Sequence, residues 1–220
     1  MPLILNNIIL YSPTQALCDP INITIHSGEI VALMGKSGCG KSTLLSAIAG
    51  HLSPDFHLQG QVTLNSQSLL NCPAHTRQVG MLFQDDLLFP QLNIWQNIAF
   101  GLDAKVKGKQ RKQKAMAVLE ELDLLEHSEK RPDQLSGGQR ARISLMRTLL
   151  ANPKALLLDE PFSKLDPELR KTFRHFVFQH IHEAQIPTLM VTHDPLDIPD
   201  ASIQLDWPNA TSPSMEASHA

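Results

Sequence analysis

The stretch Gly35-Lys36-Ser37-Gly38-Cys39-Gly40-Lys41-Ser42 decides the fold, because it fits the phosphate-loop pattern G-x-x-x-x-G-K-[ST]. Val31 to Met34 before it read as a buried strand. Ser42 to Gly50 after it read as a helix with Leu44, Leu45 and Ile48 on one apolar face. Strand, loop and helix in that order are the context the pattern requires. The glycines let the backbone bend so that successive N–H groups turn inward, and the helix N-terminus completes a concave anion site. Lys41 adds a point charge for the outer phosphates of a nucleoside triphosphate. The Ser42 hydroxyl suits an octahedral magnesium shell. The bland alternative is a Gly-rich turn that contains a lysine, and the flanking strand and helix argue against it. Lys36 adds a second positive charge, which fits either a phosphate contact or a solvated side chain.

Ala155-Leu156-Leu157-Leu158 is a continuous apolar run, the pattern of a parallel strand covered on both faces. It ends in Asp159 and Glu160. At the carboxyl end of a central strand beside a phosphate loop, Asp159 can hold magnesium through water, and Glu160 can orient or deprotonate an attacking water. Read alone, the pair is equally a surface acidic turn before Pro161. A third string, Leu135-Ser136-Gly137-Gly138-Gln139, precedes a helical stretch with Ile143, Leu145, Met146, Leu149 and Leu150 on its apolar side. It offers a hydroxyl, bare backbone amides and a helix N-terminus together, hence a second anion site; a bare S-G-G would be a turn.

These strings, in this order, resemble the ATP-binding subunit of an ABC transporter over about residues 3 to 205. Leu135 to Gln139 matches that family's signature motif, Gly35 to Thr43 its Walker A, and Leu156 to Glu160 its Walker B with the following glutamate. Gln84, after the strand Val79 to Phe83, matches the Q-loop glutamine. Ser163-Lys164-Leu165-Asp166 matches the D-loop, and His193 the switch histidine. Tyr11 sits where the family places an aromatic that stacks on adenine.

The resemblance implies that two copies pair head to tail, with each ATP between the Walker A loop of one copy and the signature helix of the other. It implies that Ser42, Gln84 and Asp159 surround Mg2+, and that Lys41, Glu160 and His193 serve catalysis. ATP would be bound by Tyr11, by Gly35, Lys36, Ser37, Gly38, Cys39, Gly40, Lys41, Ser42 and Thr43, and by Gln84. From the other copy it would meet Ser136, Gly137, Gly138, Gln139 and Asp166. Several of these have bland readings. Tyr11 fits a half-exposed strand position, Gln84 a strand end, and His193 is one of ten histidines. Asp166-Pro167-Glu168 is also an N-cap, a first-turn proline and a dipole-matched acid. The family often has Pro at Lys36 and Ala at Lys164; the latter departure bears on communication between the two copies.

The expected fold class is α/β: a P-loop NTPase core with a mixed sheet, a small antiparallel β subdomain and an inserted helical subdomain. Leu3 to Leu10, Ile21 to Ile25 and Gln61 to Leu64 carry the alternating or β-branched patterns of antiparallel strands. Apolar runs before Lys41, Gln84, Glu160 and His193, separated by helices, are the grammar of a parallel sheet. The ABC ATPase domain is expected over 1–205, its nucleotide-binding core in 1–84 and 151–205 and its helical subdomain in 85–150. The Ser-, Ala- and Pro-rich segment 206–220 reads as a disordered tail.

With 220 residues, 42% hydrophobic residues and a net charge of −3, the chain fits one ordinary globular domain. No run approaches the ~20 apolar residues of a membrane span, and the N-terminus does not read as a signal peptide. Weak acidity argues against nucleic acid as a partner. Three cysteines without metal-like spacing suit a reducing compartment. The resemblance therefore implies a peripheral ATPase on the cytoplasmic face of the cell membrane, held by transmembrane permease subunits and served indirectly by a solute-binding protein. Asp159 to Ser163 and Asn97 to Gly101 look like importer subunits, above all the short, thiamine-importer-like forms without a regulatory domain. The alternatives are an exporter-type or non-transport ABC ATPase, or a P-loop small-molecule kinase. The transported solute leaves no mark in the sequence. Leu87 to Asn93, apolar for a connecting stretch, resembles the family's groove for a coupling helix of the membrane subunit; packing on the helical subdomain is its other reading.

Overall fold

The computed structural model describes residues 2–199 and 202–208. The chain runs β1 (Leu3–Tyr11), β2 (Ile21–Ile25), β3 (Ile30–Met34), α1 (Lys41–Ala49), β4 (His57–Leu64), β5 (Gln67–Ser68) and β6 (Val79–Leu82). It continues through α2 (Ile94–Gly101), α3 (Gly108–Glu121), α4 (Gly137–Leu150), β7 (Ala155–Asp159), α5 (Pro167–Glu183), β8 (Thr188–Thr192) and β9 (Ile203–Asp206). Two sheets result. One has four strands in the order β2-β1-β4-β5, and the other five in the order β6-β7-β8-β3-β9.

The five-stranded sheet is parallel at every pairing described. The expectation of a mixed core sheet is corrected to that extent: the antiparallel strands form their own sheet. The reason is visible in the side chains. Along β3, Val31 and Leu33 join one core cluster while Ile30 and Ala32 join the other. Along β7, Ala155 and Leu157 point one way, and Leu156 and Leu158 the other. Both faces are covered, so the strands are apolar throughout and crossover helices supply the layers. One face packs on α1 and the antiparallel sheet, through Leu44, Leu45, Leu3 and Ile8. The opposite face packs on α5 and the helices α2 to α4, through Phe173, Val177, Ile98 and Ile143.

Local sequence fixes the helix ends. Asn93 and Gln96 close a capping box on α2, and Ser136 and Gln139 close another on α4. Asp166 caps α5 by accepting from the Leu169 N–H at 3.0 Å, with Pro167 in the first turn. Arg77, 8% exposed, donates to the carbonyls of Ala47 and Ile48 at the end of α1, a cap that the sequence pattern did not announce.

The expectation of a disordered tail from residue 206 is also corrected. Asp206 closes β9 beside Met34, and Trp207 is only 4% exposed. β9 itself was not anticipated: its four residues include one buried side chain, Leu205, too little pattern to read. Residues 209–220, the rest of that tail, lie outside the described residues. Among the described residues no helix is long and apolar enough to cross a membrane.

Candidate active site

β3 delivers the chain into the loop 35–40, and α1 leaves it. Gly40, at φ 96°, is the N-cap of α1 and offers no side chain, so the first amides of the helix are left to face a ligand. Lys41 lies 5% exposed, and its Nζ donates to the carbonyls of Gly35 (2.8 Å) and Lys36 (2.7 Å). The ammonium is thus held inside the curl of the loop. The Lys36 side chain is exposed; its backbone, rather than its charge, builds the site, because the carbonyl also accepts from Cys39 Sγ at 2.7 Å.

The loop opens into a cleft of about 320 Å³. Ser37, Gly38, Gly40, Lys41, Ser42 and Thr43 line its floor, Gln84 and Glu160 its polar wall, and Leu17 and Phe56 its apolar side. Leu17 and Phe56 were missed by sequence reasoning. They come from loops with no motif, and only the fold brings them to the phosphate loop. Tyr11 does not line this cleft. Its hydroxyl donates to Gln59 Oε1 at 3.1 Å, and its ring lies 6.3 Å from that of His57.

Asp159 ends β7 beneath the loop and is 5% exposed. Burial pushes its carboxyl above the ordinary value. A hydrogen bond from Ser42 opposes this, the Glu160 carboxylate adds to it, and the Lys41 charge opposes it. Such a carboxylate gains from a cation. The neighbouring donors are Ser42 hydroxyl and Gln84 amide oxygens, a hard oxygen set of the kind Mg2+ takes together with substrate phosphates. Among the described residues no group of three or more His, Cys, Asp or Glu side chains is arranged to hold a metal. An ion here would therefore depend on Ser42, Gln84 and the phosphates.

Glu160 follows Asp159 with φ 48°, a left-handed conformation that costs a non-glycine residue on the order of 1 kcal/mol or more. The turn is held by the Glu160 N–H to Val191 carbonyl (2.9 Å) and by Ser163 Oγ to the Glu160 carbonyl (2.9 Å). It aims the carboxylate into the cleft, where Glu160 Oε1 meets His193 Nδ1 at 2.9 Å. An ionised carboxylate only accepts, so Nδ1 carries the proton. His193 is held from behind. Asp194 caps the next turn through the Leu196 N–H (2.9 Å), and Arg170 binds Asp194 at 2.9 Å and the buried Asp197 through two nitrogens.

The segment expected to form a second anion site lies elsewhere. Ser136 to Gln139 open α4, with Gln139 N–H donating to Ser136 Oγ (3.3 Å) and Ser136 N–H to Gln139 Oε1 (2.9 Å). Neither these residues nor Asp166 line the cleft of the phosphate loop. They are neighbours of the 163–166 loop: a Cβ at Gly138 would stand 3.2 Å from both Leu165 Cδ2 and the Lys164 carbonyl. One carboxylate joins these segments to Gln84. Asp86 takes Arg140 Nε at 3.0 Å on one oxygen and Lys164 Nζ at 3.2 Å on the other.

A buried strand entering a phosphate loop, an acid pair at the end of β7, separated from that strand by β8, and a histidine on Glu160 define a phosphate-loop nucleoside-triphosphatase. The separate glycine-rich helix end narrows the class. The sequence matches the family described as ABC transporter over residues 18–163, and the chain belongs to that family as an ATP-binding ATPase. It is 47% identical over 204 residues to the uncharacterized ABC transporter ATP-binding protein YnjD of Escherichia coli K12, covering 93% of this chain and 94% of that protein. It is 42% identical over 189 residues to the sulfate/thiosulfate import ATP-binding protein CysA of Pseudomonas putida, covering 84% of this chain and 56% of that one. It is 39% identical to the Fe(3+) ions import ATP-binding protein FbpC 2 of Haemophilus influenzae, covering 84% and 52%. The chain thus spans about half the length of these last two relatives. Among solved structures, the dimeric structure of a post-hydrolysis state of the ATP-binding cassette MJ0796 bound to ADP and Pi is similar at a TM-score of 0.76. The sequences are 27% identical, and 89% of each chain is covered.

Proposed function

We propose that this chain is the ATP-hydrolysing subunit of a membrane importer for a small solute. It works as a head-to-tail pair and docks on permease subunits at the cytoplasmic face of the membrane. One observation carries the reading. The chain has two glycine-bearing helix N-termini, and the one at Ser136 to Gln139 does not line the cleft of the phosphate loop. A second copy brings that end to the ATP of the first. The dimeric relative bound to ADP and Pi supports the pairing, and the sulfate and Fe(3+) import relatives support the direction of transport.

The chemistry follows from the geometry. The amides of residues 38–42 and the Lys41 ammonium would hold the β- and γ-phosphates, and Ser42, Gln84 and Asp159 are the residues that would hold Mg2+. When bound, Mg2+ neutralises charge on the transferred phosphoryl group. Glu160 accepts the proton of the attacking water as the water oxygen bonds to the γ-phosphorus and the bond from that phosphorus to the bridging oxygen breaks, ADP leaving with the electron pair; His193 holds the Glu160 carboxylate in line through Nδ1. Tyr11 does not line the cleft, so the adenine role that the family resemblance implies for it rests on that resemblance alone. Leu87 (55% exposed) and Phe100 (62% exposed), the latter with its ring 4.5 Å from that of Phe89, offer apolar side chains that suit a helix of the permease. A solute-binding protein would deliver the solute on the far side.

Glu160→Gln tests the reading, because it removes the proton acceptor and keeps the shape. Hydrolysis is expected to fall on the order of a hundredfold or more, in keeping with general-base contributions. The variant should also elute as a dimer when MgATP is present. Normal turnover by a strictly monomeric form would reject the proposal. Co-purification of the native complex identifies the permease and, through it, the solute.

A further inference from the structure

We propose that Trp207 is a positioning residue for the phosphate loop: its indole N–H holds the Cys39–Gly40 peptide so that the Gly40 N–H faces the nucleotide. Trp207 follows β9 directly, and its backbone N–H donates to the Met34 carbonyl at 2.6 Å. The residue is therefore mounted on the strand end from which the loop departs. Its Nε1 donates to the Cys39 carbonyl at 2.6 Å, the short end of the N–H···O range. It also touches the start of the loop. A Cβ at Gly35 would stand 2.8 Å from the Trp207 carbonyl oxygen and 3.2 Å from its Cβ. One buried side chain thus spans the loop from Gly35 to Cys39.

Peptide geometry turns this contact into function. In a trans peptide the C=O and the following N–H point to opposite sides. The Cys39 carbonyl points at a side chain that is 4% exposed and packed in the core. The Gly40 N–H consequently points the other way, on the side where Gly40 lines the cleft. Glycines flank this peptide at 38 and 40, both at positive φ, and glycine backbones turn over at little steric cost. The indole bond removes that freedom before the phosphate arrives. A peptide whose carbonyl accepts a hydrogen bond is also polarised, which makes its N–H a better donor.

The inference rests on the phosphate loop binding ATP, and its test separates the two claims. Trp207→Phe keeps an aromatic ring, smaller than the indole, and deletes the N–H. One hydrogen bond is worth about 0.5–1.5 kcal/mol, so the Kd for MgATP is expected to rise roughly three- to tenfold, with kcat at saturating ATP within about twofold of wild type. A merely structural role would lower the melting temperature and leave the Kd of the folded protein unchanged, which would overturn the proposal. A second measurement needs no variant at this position. In Trp95→Phe protein Trp207 is the sole tryptophan, since the chain has two. Exchange of its indole proton should slow when MgATP is added, and unaltered exchange counts against the strap. If wild-type protein bound no MgATP, the reading of the cleft would fail instead.

Discussion

Replacing Asp197 by alanine removes a carboxylate that is 1% exposed and anchors the turn that follows His193. Asp197 accepts from Arg170 Nε at 2.8 Å, from Arg170 Nη2 at 2.5 Å and from Thr192 Oγ1 at 3.1 Å. Removing one partner of a buried ion pair costs about 3–5 kcal/mol, because the other charge is left without compensation. The Arg170 side chain keeps 21% exposure and can recover part of its hydration, so the lower end, about 3 kcal/mol, applies. For a chain of this size each kcal/mol lowers the melting temperature by about 2–4 °C, which gives a drop of roughly 6–12 °C. Equilibrium denaturation reads the free energy and calorimetry the temperature. Arg170→Ala with Asp197→Ala should be less destabilised than the sum of the single variants by more than about 1 kcal/mol, since the Arg170 charge is no longer left facing an empty Asp197 site. The same loss loosens the turn that carries His193, so kcat should fall at temperatures where Asp197→Ala is fully folded. A loss below about 1 kcal/mol, or strict additivity in the cycle, would refute the claim that this ion pair organises the segment.

Two further outcomes follow from residues already placed. Alkylation of Cys39, whose Sγ lies 3.6 Å from Lys41 Nζ, should abolish ATP hydrolysis, and ATP should protect; a fully alkylated protein with an unchanged rate would remove the thiol from the site. Phe89→Asp should uncouple solute uptake by the native complex from ATP binding. Because Phe89 is half-buried, 4.5 Å from the Phe100 ring and under Arg147, the exposed Phe100→Asp is the cleaner comparison: lost uptake at unchanged melting temperature marks a docking surface, and equal loss of both a packing role.

The phosphate loop, the acid pair and the signature helix were legible because each is contiguous and each sits where a strand or helix pattern changes. Glu160 and His193 could be paired only through the family resemblance, since 33 positions separate them and β8 must fold beside β7 before they meet. The parallel sheet was visible in its unbroken apolar runs, which two-sided burial demands. β9 was not, because an edge strand with one covered face carries almost no pattern. Trp207 was misread for a related reason. It begins a Ser-, Ala- and Pro-rich segment whose composition outweighs one aromatic residue, and its partners, Met34 and Cys39, lie more than 160 positions away. Leu17 and Phe56 were unreadable because side chains that only provide apolar contact follow no spacing rule.

Asp86 gives the chain a form of internal bookkeeping between two sites. The carboxylate is 12% exposed, and both of its oxygens are taken by cations rooted in other motifs. A displacement of the strand end at Gln84 cannot leave Arg140 and Lys164 in place without stranding a desolvated negative charge. The three segments are therefore coupled through this one carboxylate. In the proposed head-to-tail pair, a shift of Gln84 would be felt through Asp86 at the Ser136 helix end as well.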